Sequence, residues 1–172
     1  MDATPGAKQT LIRRNPRYVD GYNVRFSGLD WSPKGDQLAV TEWEIYDHSY
    51  PSLRLMSLTG KLGPVLAYGY DAEWNPAATW ISSTGYNYED GDWPMKVNVT
   101  SGRIISFRHN VDYGYGYGLV WSPGGTRFVL SADVNGDFVR DLVIMNVDGS
   151  NPKLVKAGTS EKEMTPLSWS PR

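Results

Sequence analysis

Short runs of alternating apolar and polar residues recur along the chain, and each run is bounded by Gly, Pro, Asn or Asp. Residues 37–40, 53–58, 95–99, 127–130 and 142–147 are examples. Side chains of a strand alternate between the two faces of a sheet, so this pattern predicts half-buried β-strands. No window keeps apolar residues at the 3.6-residue spacing of an amphipathic helix. The pattern therefore predicts an all-β protein made of short strands.

A string that begins with tryptophan recurs at a nearly constant interval. The letters WSPKG, WNPAA, WSPGG and WSPR begin at Trp31, Trp74, Trp121 and Trp169, so the repeat is about 46 residues long. Each of the first three tryptophans is followed by three further alternating runs with Gly turns between them. Four antiparallel strands in such a repeat, A (innermost) to D (outermost), have the size of one β-propeller blade.

The repeat also resembles that of a known family. The third copy, with WSPGG at 121–125 and DLVIMNVDGS at 141–150, resembles the repeat of TolB-type β-propellers, which reads roughly WSPDG followed later by DIYVMDxDG. The second copy departs from it, with Asn75 in place of Ser and Ala77 and Ala78 in place of Gly. The resemblance covers residues 27–172 and implies the fold. It leaves the function open, because such blades occur in binding proteins, peptidase gating domains and some lyases.

The repeat divides the chain into one propeller segment of about three complete blades plus a partial one. The expected parts are a D strand and connection at 1–26, complete blades at 27–67, 68–108 and 109–156, and the first strand of a further blade at 157–172. Propellers usually have four to eight blades. We therefore expect a fragment of a six- to eight-bladed ring, an open arc that a second copy completes, or a reduced fourth blade formed by the two terminal strands.

The repeated residues have a structural explanation. The inner-strand Trp is expected to fill the wedge between blades, and the hydroxyls of Ser32 and Ser122 to bond the backbone of the turn. Gly35 and Gly125 are expected at turn positions with positive φ. A serine repeated in several blades is therefore interpreted as structural and not as a nucleophile.

Composition excludes several classes. The chain has no Cys, which rules out a disulfide framework, a thiol nucleophile and a Cys-ligated zinc site. Its 17 basic and 19 acidic residues give a net charge of −2, so there is no electrostatic footprint for nucleic acid. No apolar stretch is long enough to span a bilayer. Residues 1–6 lack the apolar region of a signal peptide. Only the family resemblance favours a periplasmic or extracellular location.

All eleven tyrosines fall in segments that a propeller places on one face, namely the D–A connections and the B–C loops. Seven Asp and Glu residues fall in or beside B–C loops, so we expect an aromatic and acidic face. Exposed aromatic patches usually have a partner. The expected ligand-binding residues are Tyr46, Tyr50, Tyr70, Tyr86, Tyr88, Trp93, Tyr113, Tyr115 and Tyr117. The alternative is that these rings pack between blades.

Residues 133–137 resemble the first half of a calcium loop. Gly136 falls at the fourth position of such a loop, however, and Ile144 occupies the twelfth, where a bidentate Glu is required. Asn135-Gly136 is also a strong turn signal. We predict a structural turn and no metal site, with Asp133, Asn135 and Asp137 as the candidate ligands if a cation does bind.

These observations favour a non-catalytic binding or scaffold propeller whose partner is a protein, a peptide or a glycan. No catalytic motif is present, and no cofactor is predicted. The resemblance permits an alternative, in which the chain is the propeller part of an enzyme. That enzyme would be a prolyl-oligopeptidase-like hydrolase, with this segment in its gating domain, or a polysaccharide lyase. A purely structural repeat is the third interpretation.

Overall fold

The structure is a computed structural model that describes residue 12 and residues 24–44, 50–87, 91–107 and 117–159. These residues form strands and turns, and none of them lies in a helix able to cross a membrane. The strands are β1 Val24–Trp31, β2 Gln37–Glu44, β3 Ser52–Ser57, β4 Leu62–Trp74, β5 Trp80–Asn87, β6 Gly91–Asn98, β7 Ile104–Ser106, β8 Tyr117–Trp121, β9 Arg127–Ala132, β10 Asp141–Asn146 and β11 Lys153–Lys156. The prediction of an all-β fold is confirmed.

The strands form two antiparallel sheets. One has seven strands in the order β1 to β7, and the other has the order β11-β10-β9-β8. Strand β4 belongs to two blades, because residues 62–68 pair with β3 and residues 69–74 pair with β5. We therefore define blade 1 as β1–β3 with the first half of β4, blade 2 as the second half of β4 with β5–β7, and blade 3 as β8–β11. Over the described ranges the blades form an open partial propeller, as predicted.

Each of the three described inner strands carries a bulge three residues before its tryptophan. At this point the pairing skips residues, and the backbone has a positive φ at Gly28 (54°), Asp71 (58°) and Gly118 (61°). A bulge with a left-handed residue sharpens the local twist of a strand. The bulge was not predicted from the sequence, although two of the three positions are glycines at equivalent places in the repeat.

The core lies between blades, as the repeat predicts. Trp74 packs with Ala39, Leu53, Ile81 and Val97 between blades 1 and 2. Between blades 2 and 3 the cluster consists of Phe107, Leu119, Trp121, Phe128, Leu130, Ala132, Val143 and Met145. The two tryptophans are 4% and 5% exposed, whereas Trp31, at the same repeat position in blade 1, is 50% exposed. The inner-strand Trp is therefore buried in blades 2 and 3, each of which packs against a preceding blade that the structure describes.

The turn after each tryptophan is held by the side chain that follows it. Ser122 Oγ accepts the N–H groups of Thr126 and Arg127 at 3.2 and 3.0 Å, and Ser32 Oγ accepts that of Lys34. In the divergent second copy, Asn75 Oδ1 accepts the N–H groups of Thr79 and Trp80, both at 2.8 Å. The structural interpretation of the repeated serine is confirmed, and Asn75 performs the same role with an amide oxygen.

Gly35 and Gly125 have φ of 70° and 65°, and Ala78 occupies the same turn position at 54°. We expect Ala78→Gly to raise the free energy of unfolding by about 0.5 kcal/mol, because relief of left-handed strain exceeds the added unfolded-state entropy. Gly35→Ala should lower it by about 1 kcal/mol, since an added Cβ there meets no described atom within 4 Å and only the backbone is strained. Urea unfolding of both variants checks this. A loss of stability in Ala78→Gly would contradict it.

Candidate functional site

An open cleft of about 600 Å³ is lined by residues of blades 1 and 2, beside the point where β4 passes from one blade to the other. Tyr50, just before β3, and Tyr68, in β4, belong to blade 1. In blade 2, Tyr86 lies near the end of β5 and Trp93 lies near the start of β6. These parts of the two strands pair with each other. The full lining is Tyr50, Tyr68, Tyr86, Asn87, Trp93, Met95, Ile104 and Ser106.

The ring of Tyr50 contacts those of the other two tyrosines of the cleft, each at an angle. The centroid of the Tyr50 ring lies 5.6 Å from that of Tyr68 and 6.2 Å from that of Tyr86, with interplanar angles of 52° and 60°. Tilted contacts of this kind are favoured by the ring quadrupoles. Tyr68 is nevertheless 55% exposed. The rings thus form a concave aromatic wall that still offers apolar surface.

Two glycines make room for the cleft. Gly85 pairs with Trp93 across β5 and β6, and a Cβ added to Gly85 would lie 2.5 Å from Trp93 Nε1. A Cβ on Gly69 would clash with Thr84 O and would lie 2.7 Å from the terminal methyl of Met95. The indole of Trp93 can lie across β5 only because position 85 has no side chain.

The predicted binding residues do not all converge. Tyr50, Tyr86 and Trp93 line the cleft, but Tyr70 packs against Trp43 with ring centroids 5.7 Å apart. Tyr117 is the first residue of β8. Tyr46, Tyr88, Tyr113 and Tyr115 lie outside the described residues. Tyr68 was absent from the expected set, although its place in a D–A connection was the signal that could have included it.

The loop that connects β9 to β10 is organised by the carboxylate of Asp133. Oδ1 accepts the N–H groups of Asn135 and Gly136 at 3.1 and 2.8 Å, and Oδ2 accepts that of Phe138 at 2.8 Å. Asp137 Oδ2 accepts a bond from Asn135 Nδ2. The described ranges contain no group of three or more His, Asp or Glu side chains placed to hold a metal ion. The bonds are those of an Asx-type turn, which the loop can form without a cation.

Three acids that the sequence analysis did not single out border a second cavity, of about 300 Å³, along the inner strands. Asp30 Oδ2 accepts the backbone N–H of Trp74 at 2.6 Å, and Glu73 Oε1 accepts that of Trp121 at 3.3 Å. Asp71, at the left-handed position, is the third acid. The available signal was the acid that directly precedes the repeat tryptophan in the first two copies.

Partial desolvation raises the pKa of all three acids, of which Asp30 and Glu73 are half-buried and Asp71 is more exposed. Desolvation raises the pKa of Glu73 to about 7, with a further rise from the charge of Asp30, although the bond from the Trp121 N–H opposes this. Desolvation also raises the pKa of Asp30, against the bond from Trp74, and that of Asp71, to which the charge of Asp92 adds. A carboxyl with a pKa near neutrality changes its charge under physiological conditions.

Comparisons with known proteins identify the fold. No protein-family model matches the chain, and no curated protein sequence does. Among solved structures it is similar to TolB from Acinetobacter baumannii, with a TM-score of 0.60 and 12% identity over 79% of this chain and 33% of that one. It is also similar to a chain of the nidogen/laminin complex (TM-score 0.56, 15% identity, 75% and 47% covered). A third structure is that of a prolyl endopeptidase (TM-score 0.56, 12% identity, 83% and 23% covered).

At such identities the similarity shows the fold alone, which is that of a TolB-like β-propeller, as the repeat predicted. The chain spans about a third of the TolB structure, about half of the nidogen/laminin chain and about a quarter of the prolyl endopeptidase. Propellers of this fold occur both in binding proteins and as domains of enzymes.

We expect Gly85→Ala to displace Trp93, because the new methyl group would overlap the indole, and to lower the free energy of unfolding by about 1–3 kcal/mol. Tryptophan fluorescence should change, and the change should disappear when Trp93→Phe is added. Gly124→Ala is the control, since its Cβ would meet no described atom within 4 Å. Equal stability and spectra for Gly85→Ala and the wild type would contradict the described packing.

Proposed function

We propose that this chain is a non-catalytic binding or scaffold propeller that holds a protein, peptide or glycan partner in its aromatic cleft. One observation carries the proposal. Four aromatic side chains from two blades, Tyr50, Tyr68, Tyr86 and Trp93, converge on one open cleft. Their convergence favours binding over the alternative in which every ring packs between blades.

The size and lining of the cleft support this function. Its volume of about 600 Å³ is that of a small-molecule or short-segment site. Such sites are mostly apolar and aromatic, with a few polar groups that fix orientation, and here Asn87 and Ser106 are the polar candidates. Tyr and Trp suit recognition because they bury a large area at a small cost in side-chain entropy.

Recognition in the cleft is proposed to depend on stacking and apolar contact. Among the described lining residues there is no charged side chain. The proposal does not depend on the acidic residues that were expected in or beside the B–C loops. Of its described members, Asp92 is buried, and Asp133 and Asp137 accept hydrogen bonds within their own loop.

The second candidate function is that of a propeller domain in an enzyme. It is supported by the fold similarity to the prolyl endopeptidase structure, of which this chain would cover about a quarter. The sequences that flank residues 1 and 172 in the gene discriminate the candidates. A neighbouring α/β-hydrolase domain with a G-x-S-x-G motif would favour the enzyme.

The test of the binding function begins with an oligosaccharide array and a peptide array, and calorimetry of each ligand that they identify. Tyr68→Ala should weaken binding at least tenfold and leave the unfolding midpoint nearly unchanged, because this ring is largely exposed. Phe138→Ala is the matched control, since Phe138 is an aromatic residue that is 81% exposed and does not line the cleft.

Two results would overturn the proposal. One is that no member of either array binds the wild type. The other is that the ligands found bind Tyr68→Ala and Tyr86→Ala as tightly as they bind the wild type. A loss of several kcal/mol of stability in Tyr86→Ala without any ligand would instead indicate that the ring serves packing.

A further inference from the structure

Two equivalent hydrogen bonds join successive blades at their inner edges. The residue before Trp31 is Asp30, and its carboxylate accepts the backbone N–H of Trp74 in blade 2 at 2.6 Å. The residue before Trp74 is Glu73, and its carboxylate accepts the backbone N–H of Trp121 in blade 3 at 3.3 Å. In each case, an acid from one repeat reaches the tryptophan of the next.

Glu73 accepts a second hydrogen bond from blade 3. Its backbone carbonyl accepts a bond from Trp121 Nε1 at 3.2 Å. The neighbouring Ser82 Oγ donates to the carbonyl of Leu119 in the same strand of blade 3 at 3.1 Å. Both N–H groups of Trp121, which is buried between blades 2 and 3, therefore bond to one residue of blade 2.

The charges around Glu73 are of one sign. Blade 1 contributes Asp30 to the cavity that Glu73 borders, and the same strand as Glu73 contributes Asp71. Asp92 of β6 adds its charge to that of Asp71. Strand β8 contributes Gly118, Leu119 and Val120, which carry no side-chain charge. No basic side chain lines this cavity among the described residues, so a negative charge on Glu73 lacks a counter-charge there.

We propose that Asp30 and Glu73 are carboxyl latches between successive blades, and that ionisation of Glu73 destabilises the interface between blades 2 and 3. The neutral carboxyl keeps the latch, because its carbonyl oxygen accepts the Trp121 N–H. The ionised carboxylate accepts this N–H more strongly, but it is partly desolvated, is repelled by Asp30 and has no basic side chain in the described cavity lining, so the net effect of ionisation is destabilising. In the third copy of the repeat, the residue before the tryptophan is Val120, which has no carboxyl. The described latches are therefore confined to two interfaces.

The direction of the pH effect follows from proton linkage. The pKa of Glu73 is about 7 in the folded protein, against an ordinary value of 4.5 for a glutamate. Between these values the folded state binds more protons than the unfolded state, so stability falls as the pH rises from 4.5 to 7 and levels off above. The raised pKa values of Asp30 and Asp71 also make stability fall as the pH rises, beginning at a lower pH. The pKa of Asp148 is lowered by its bonds with Ser150, so this residue makes stability rise with pH, and only in the acid range.

The test is urea unfolding of the full chain from about pH 5 to about pH 8.5. Glu73→Gln keeps the shape and the acceptor but cannot ionise. Its midpoint should change less with pH than that of the wild type, and should exceed the wild-type value at the alkaline end. Asp36→Asn, which removes the same charge from an exposed turn, should keep the wild-type slope. The proposal is overturned if Glu73→Gln and the wild type show equal slopes.

A second measurement on the wild type keeps the proposal testable if Glu73→Gln does not fold. The backbone and indole N–H resonances of Trp121 should titrate with a midpoint of about 7. Resonances that stay constant between about pH 6 and about pH 8.5 would rule out the Glu73 latch, whatever the variant does.

Discussion

The burial of a tryptophan between neighbouring blades is the interaction on which the rest of this structure depends. A four-stranded blade is apolar on both faces and cannot bury them alone, so it is stable only when stacked. Trp74 and Trp121 are almost fully buried in the two described interfaces, and the surrounding Leu, Val, Ile and Phe side chains pack against them. Trp31 shows the contrast, because the same residue at the same repeat position stays half exposed.

The geometry that brings two blades together also produces both candidate features. At the inner edge, bulged strands approach closely enough for a carboxyl of one blade to reach the backbone of the next. The cleft lies beside the point where β4 passes from blade 1 to blade 2. Gly69 and Gly85 leave room there for Met95 and Trp93, and tyrosines from both blades line the opening. The cleft and the latches are therefore both built from residues of neighbouring blades.

Much of the fold could be predicted because it depends on local rules and on repetition. The alternation of apolar residues predicted the strands, and the Trp-Ser-Pro turn predicted the blade. The turn residues behaved as expected even in the divergent copy, where Asn75 replaces Ser and Ala78 adopts the left-handed conformation of the glycines. The candidate site was predicted only as a set of tyrosines. Tyr50 and Tyr86 meet in the cleft, whereas Tyr70 pairs with Trp43.

The sequence by itself determined the short strands, the blade repeat and the tryptophan position that is buried in the two described interfaces, because periodicity and turn chemistry act over a few neighbouring residues. Only the tertiary structure decided which rings share a cleft and which acids become partly desolvated. Both depend on contacts between residues about 20 to 50 positions apart, such as Tyr50 with Tyr68 and Glu73 with Trp121. The raised pKa of Glu73 is the clearest case, because its partial desolvation and the nearby charge of Asp30, which belongs to blade 1, arise only in the folded chain.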